Sequence, residues 1–264
     1  MSSDIEMRIG MKISQSDPKT PFIVFIDNAK YSVSDGDKLP KNVQRFRLLN
    51  SAIFLKSEFA KKSLRIIESC YEKSAQTLED GNIEIRPMEF FPALREIDSL
   101  IFELGSILDF FAREVNIVFT LGIGLRDVGF GTVVKKLQEK HPHESITEAL
   151  VRFDNSDCHQ YFRKMRNRIT HRLPFVVRGK IGEKNRILFP DDPENDDVVP
   201  ITKEDIDILE TCKKWVYEIL AFVDQTSIIV FQKMGEVTAI NIETGEKIDI
   251  ESHFGRNDSS TPAS

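Results

Sequence analysis

Residues 90–118 read FFPALREIDSLIFELGSILDFFAREVNIV. Within them Phe90, Leu94, Ile97, Ile101, Leu104, Leu108, Phe111, Val115 and Val118 recur at alternating spacings of four and three, which is the heptad seam of an α-helix. At 1.5 Å per residue the seam is about 45 Å long. Leu100, Ile107, Phe110 and Ile117 add apolar surface beside it, so the helix is expected to be buried on more than one side. A parallel coiled-coil dimer would more often leave those flanks charged, and the pattern favours the core helix of a bundle. Pro92 is expected in the first turn, where proline is tolerated.

The segments on either side extend the pattern. Phe46, Leu49, Ile53, Ala60, Leu64, Ile67, Tyr71 and Leu78 predict a helix from Asn42 to about Leu78, closed by Asp80-Gly81-Asn82. Gly122, Gly124, Gly129 and Gly131 predict a flexible connector ahead of a helix from Val133 to Lys140 with Thr132 as N-cap. The Gly-Lys-Ser/Thr of a phosphate-binding loop is missing from it. A further helix is expected over 156–173, capped by Ser156 or Asp157 and stopped ahead of Pro174. Phe175 to Phe189 reads as a hairpin, and Pro190 to Asp197 as an acidic, solvated loop. Thr202-Lys-Glu-Asp205 resembles a capping box opening a helix through Ile206, Leu209, Val216, Leu220 and Val223 to about Met234, with Trp215 and Phe222 widening its apolar face. Val237 to Ile242 and Lys247 to Ile250 predict a second hairpin. The expected class is mainly α: an antiparallel helical bundle over 42–240, an N-terminal extension with short strands over 1–41, and a polar tail over 241–264, expected to be partly disordered.

Composition narrows the function. The 264 residues carry a net charge of −6 and 41% hydrophobic residues, which excludes a generally basic nucleic-acid coat but leaves room for a local basic groove. Cys70, Cys158 and Cys212 are an odd number spread far apart, which argues for a reducing compartment and against a disulfide framework. The first residues lack the basic start and apolar run of a signal peptide. No apolar run approaches the roughly 18 residues of a membrane helix, so a cytoplasmic location without membrane contact is expected. His141-Pro142-His143 and Cys158-His159 lack a second pair at metal-binding spacing, and no metal or cofactor is expected.

Against this acidic background the stretch Tyr161 to Arg172 holds five Lys or Arg and one His. On a helical wheel Phe162, Met165 and Ile169 form the inward stripe, Arg166 sits on its flank, and Asn167 and His171 face outward. His171 lies in the last turn, where the helix dipole favours the imidazolium and the surrounding arginines oppose it, a balance suited to acid–base work near neutrality. Arg166 offers a planar fork for a phosphate, and Asn167 precedes His171 by four residues, so its amide can orient the ring.

Arg166-Asn167-Arg168-Ile169-Thr170-His171 resembles the Arg, polar residue, three-residue gap, His motif of the HEPN superfamily, and the long antiparallel helices over roughly 42–234 are similar too. The resemblance implies a metal-independent endoribonuclease that cuts single-stranded RNA by attack of a 2′-hydroxyl on the adjacent phosphate, in a cleft shared by a homodimer. It implies catalytic roles for Arg166, Asn167 and His171, with Arg163, Lys164, Arg168 and Arg172 as substrate-steering or solvated charge. A defence or toxin role follows, with a nucleotidyltransferase-type antitoxin or another defence component as candidate partner. The toxin subfamily with that antitoxin carries a Tyr two residues after the His, whereas Leu173 stands here, so regulation through that Tyr is not supported. The alternatives are a non-catalytic HEPN-like module binding RNA or a nucleotide, and a helical interaction protein.

Overall fold

The computed structural model describes residues 26–27, 41–77, 83–85, 87–171, 178–180, 186–189, 206–234, 238–240 and 247–248. Helices dominate them: α1 (Lys41–Ser74), α2 (Pro87–Val118), α3 (Phe130–Lys140), α4 (Ser145–Asp154), α5 (Asp157–His171) and α6 (Ile208–Met234). The seam of α2 is the centre of the core, with Ile97, Leu100, Leu104, Ile107, Phe111, Ala112 and Val115 buried. Each large side chain removed from water there stabilises the fold by about 1.5–3 kcal/mol.

α1 lies antiparallel on α2, as the cross-links show. Ser63 donates to Glu96 at 2.9 Å, and two turns away Lys56 pairs with Glu103 at 2.7 Å. α6 runs against both. Phe231 meets Phe46 at one end (5.4 Å between rings), and the Tyr71 hydroxyl donates to Asp207 at the other (3.0 Å). α5 completes the bundle against α2 and α6, where Phe162 meets Trp215 edge to face at 5.5 Å. α3 and α4 form a short pair at one end. Phe130 and Phe153 join them at 5.8 Å, and Phe153 stacks on Phe222 of α6 at 3.9 Å.

Short strands accompany the helices: β1 (Ile26–Asp27), β2 (Ala75–Thr77), β3 (Ile83–Ile85), β4 (Arg178–Lys180), β5 (Arg186–Phe189), β6 (Ile206–Asp207), β7 (Thr238–Ile240) and β8 (Lys247–Ile248). All pairings are antiparallel, in the orders β1-β7-β8, β2-β3 and β4-β5-β6. Ala239 lies opposite Ile26 and Ile248, and Leu188 opposite Arg178 and Asp207.

Several boundaries differ from the sequence reading. α1 stops at Ser74, where the chain turns into β2; the expected stop at residues 80–82 lies outside the described residues. α2 starts at Pro87, a residue suited to a first helical position, so Pro92 falls inside the helix rather than in its first turn. α3 starts at Phe130, not after Thr132, because the Phe130 ring is buried against Phe153, Phe222 and His159; the N-cap is Gly129. α4 was not anticipated, although Ile146, Leu150 and Phe153 carry its spacing. α6 opens at Ile208, with Asp207 accepting from the Glu210 N–H at 3.0 Å as its cap. Residues 201–205, the acidic loop at 190–197 and the ends of the chain lie outside the described residues.

The glycine-rich connector is tied down rather than flexible. Asn116 clasps Ile123 with both ends of its amide, donating to the carbonyl at 3.0 Å and accepting from the N–H at 3.1 Å. Lys140 donates to the Leu121 carbonyl at 2.9 Å. The tight exit from α2 puts Gly122 at φ 75°, where a side chain would be strained.

Glu114, in the middle of this core, is fully buried. Burial pushes its carboxyl well above the usual carboxylate range, and Asn50 only partly offsets the effect. The native state therefore holds this proton more tightly than the unfolded chain does. Its stabilising contribution is complete below the ordinary value of 4.5 and is lost as pH rises through the raised value. Glu114→Gln is accordingly expected to raise the melting temperature at pH 7 and to change it little at pH 4; equal shifts at both pH values would contradict this account.

Candidate active site

α5 begins at a Ser cap and turns its sticky face inward. Ser156 Oγ accepts from the His159 N–H at 3.2 Å, and Asp157 places an acid in the first turn, where the dipole favours it. Phe162 and Met165 are buried and Ile169 half-buried, the stripe read from the sequence, and Cys158 extends it. The flank formed by His159, Arg163 and Arg166 faces a cleft of about 550 Å³. The rest of its wall comes from Leu108 and Asp109 of α2, Phe162 and Asn167 of α5, Asp154 of α4, and the start of α3 from Gly129 to Thr132 with Lys135.

Arg166 is held in a notch. Its side chain lies across α2 at Gly105, where an added Cβ would come within 2.7 Å of Nε, 2.9 Å of Cζ and 3.0 Å of Cδ. One turn further along α2, Asp109 accepts a hydrogen bond from the guanidinium at 2.6 Å. Both partners are partly exposed, so the pair contributes at most about 1 kcal/mol to stability. Its effect is orientation. A guanidinium has five N–H donors, and this bond uses one of them to fix the plane of the group.

His159 is the core histidine of this helix, at 4% exposure. Its ring packs against Phe130 (5.1 Å) and Phe153 (4.9 Å). Nδ1 faces Asp154, 3.4 Å from the backbone carbonyl and 3.3 Å from Oδ1. Burial holds its pKa below the ordinary value, a stronger influence than the Asp154 contacts that raise it, so the ring is neutral near pH 7. The sequence reading sets Cys158 and His159 aside as metal ligands for want of a second pair. Both are buried, and among the described residues no group of three or more His, Cys, Asp or Glu is placed to hold a metal. Burial also pushes the Cys158 thiol far up, away from thiolate chemistry.

The other basic residues separate. Asn167 is exposed at the rim of the cleft, and Arg163 is exposed with an N–H donated to Gln160 at 2.7 Å. Lys164 is half-buried. Arg168, expected as solvated or substrate-steering charge, is instead buried at 6% exposure, because it falls on the flank of the apolar stripe opposite Arg166. The backbone of His171 forms the last residue of α5; its side chain, and all of Arg172, lie outside the described residues. Gly105, Asp109 and Lys135 were not singled out from the sequence. Gly105 is the only glycine within α2, a costly residue in a helix interior, and that was its available signal.

Residues 97–234 match the model of the Cthe2314-like HEPN family. No curated protein and no solved structure matches the chain. Among the described residues no helix is long and apolar enough to cross a membrane.

His159 gives the site a measurable pH signature. Its pKa is depressed on folding, so its stabilising contribution is present above about 6.5 and is lost as pH falls through the lowered folded value. His159→Phe, which keeps an aromatic ring between Phe130 and Phe153, is expected to flatten the loss of stability below pH 6.5 in denaturant titrations. An unchanged slope would remove His159 from that account.

Proposed function

This chain belongs to the Cthe2314-like HEPN family, and from that premise we propose that it is a metal-independent endoribonuclease acting on single-stranded RNA. The observation that carries the reading is the seating of Arg166. A guanidinium fixed by Gly105 and Asp109 at a cleft, five residues before His171 on one helix, supplies an oriented cation where a phosphate must gain charge.

In this reading His171 takes the proton of the ribose 2′-hydroxyl as it attacks the neighbouring phosphorus. The phosphorane oxygens gather charge against Arg166, and the bond to the 5′-oxygen breaks as that oxygen takes the proton now held by the His171 imidazolium. The products are a 2′,3′-cyclic phosphate and a 5′-hydroxyl. Asn167, four residues before His171, orients the imidazole. Arg163 and Lys164 steer the strand, with Arg172 at the helix end; Arg168 is left out because it is buried. Two copies of α5 meet in a homodimer, so that two Arg–His pairs line one cleft. The short strands flanking the bundle are additions to the HEPN core. A defence or toxin role in the cytoplasm suits the family, with an antitoxin or other defence component as partner, although Leu173 removes the Tyr used by one class of antitoxin.

Purified protein is expected to cut single-stranded RNA in EDTA and to run as a dimer in sedimentation. His171→Ala should abolish cutting with folding intact. Arg166→Ala should lower it by about 10²–10³-fold, the size seen when an oriented charge-stabilising donor is lost. Tight RNA binding with no turnover would replace the enzyme by a non-catalytic RNA-binding module. Neither binding nor turnover would leave a helical interaction protein.

Gly105→Ala tests the notch from a distance. Alanine is the better helix former by about 1 kcal/mol, so stability should hold or rise slightly. Displacing Arg166 should still slow cutting by about 10- to 100-fold, in line with the cost of a misplacement near 1 Å. Full activity in this variant would show that the Arg166 seat is incidental.

A further inference from the structure

α1, α2 and α6 each bring a polar side chain into the core they share. Asn50, Glu114 and Ser227 are buried, at 4%, 0% and 4% exposure. Four of their atoms, Asn50 Nδ2, Glu114 Oε1 and Oε2, and Ser227 Oγ, have no hydrogen-bond partner among the described residues. Buried polar atoms are seldom left so, and four of them on three packed helices call for a common partner.

The helix contacts bring the three residues to one level. The rings of Phe46 and Phe231 meet at 5.4 Å across the antiparallel α1–α6 pair. Asn50 follows Phe46 by four residues and Ser227 precedes Phe231 by four, so one helical turn carries both to the next facing position. The Tyr71–Asp207 hydrogen bond keeps the same pairing at the far end. On α2, Glu114 stands about one turn past Phe111, whose ring meets Phe222 of α6 at 5.8 Å, and Ser227 stands little more than a turn past Phe222. Asn50 is an immediate neighbour of Glu114, since its amide favours the charged form of that carboxyl. Their approach lacks the geometry of a hydrogen bond, which leaves the Asn50 donor and both Glu114 oxygens unpartnered.

The chemistry of these groups selects the ligand. An amide N–H donor is a poor neighbour for a cation, and a carboxyl group a poor neighbour for an anion. The serine hydroxyl can donate or accept. Water both donates and accepts, and a buried water typically makes about three hydrogen bonds to groups otherwise unsatisfied.

We propose that Asn50, Glu114 and Ser227 form a buried hydration site, in which one water molecule accepts from Asn50 Nδ2 and bridges the Glu114 carboxyl to the Ser227 hydroxyl, tying α1, α2 and α6 together. The site is independent of the ribonuclease reading, and none of its residues lines the cleft beside Arg166. The water leaves only when the three helices part, so it exchanges with bulk far more slowly than surface hydration does.

Two measurements on the full chain test the site. In a high-resolution crystal structure one solvent peak should lie about 2.5–3.2 Å from all three side chains. In solution, magnetic relaxation dispersion of the water signal counts the long-lived waters. Asn50→Leu, close in shape but apolar, should lose one of them relative to the wild type. Ser227→Val, which turns a methyl group toward the site, should lose the same one; if one variant fails to fold, the other and the wild-type crystal decide. An empty site, a direct Asn50–Glu114 hydrogen bond that closes it, or a peak at the roughly 2.3–2.6 Å of a hard cation would overturn the proposal. So would an unchanged count in the folded variants.

Discussion

A helix of 32 residues with apolar side chains around most of its circumference must find neighbours on several sides, and α2 finds them in α1, α6 and α5. The antiparallel run of α1 is set by the length of the shared seam, and α6 by the aromatic contacts at Phe46 and Phe111. α5 has a narrower apolar stripe, so it can cover only what the other two leave. That position brings a strongly basic helix against α2, where Gly105 leaves room for the Arg166 side chain. The cleft beside Arg166 is thus a by-product of how the core is closed.

The electrostatics follow the same division. Glu114 is buried between helices, and burial pushes its carboxyl well above the usual range, whereas Asp109, on the partly exposed side of the same helix, meets a guanidinium. Two acids on one helix therefore behave differently because one sees water and the other does not. His159 and the basic rim of α5 show the same contrast within three turns of helix. Burial holds the pKa of the first below its ordinary value, whereas Arg163 stands exposed with an N–H donated to Gln160.

What was legible in the sequence is what periodicity records. The seam of α2, the inward stripe of α5 and the length of α6 all follow from spacing, and a spacing of four and three has one meaning over eight turns. Helix starts were read less well. Thr132 was chosen for α3 by its hydroxyl, but the burial of Phe130 sets the start two residues earlier, and Asp207 caps α6 rather than Thr202. The glycine cluster was read as loose because local composition does not reveal the Asn116 clasp, formed across seven residues. At the site, Arg166 and Asn167 were visible through a motif. Gly105, Asp109 and Lys135 were not, because their importance lies in which helix they face across some thirty to sixty positions of chain. Arg168 was misjudged for a related reason: a wheel ranks residues by one stripe and cannot see a second neighbour burying the flank.

The notch at Gly105 also keys the rotation of α5. Successive residues on a helix point about 100° apart, so a slip of one residue would bring Met165 or Asn167 over Gly105 in place of Arg166. Met165 there would abandon its buried seat, and Asn167 is too short to reach Asp109 as Arg166 does. Only one angular setting both buries the stripe and lays the guanidinium in the gap. The missing side chain at one position of α2 thus acts as a keyway for Arg166.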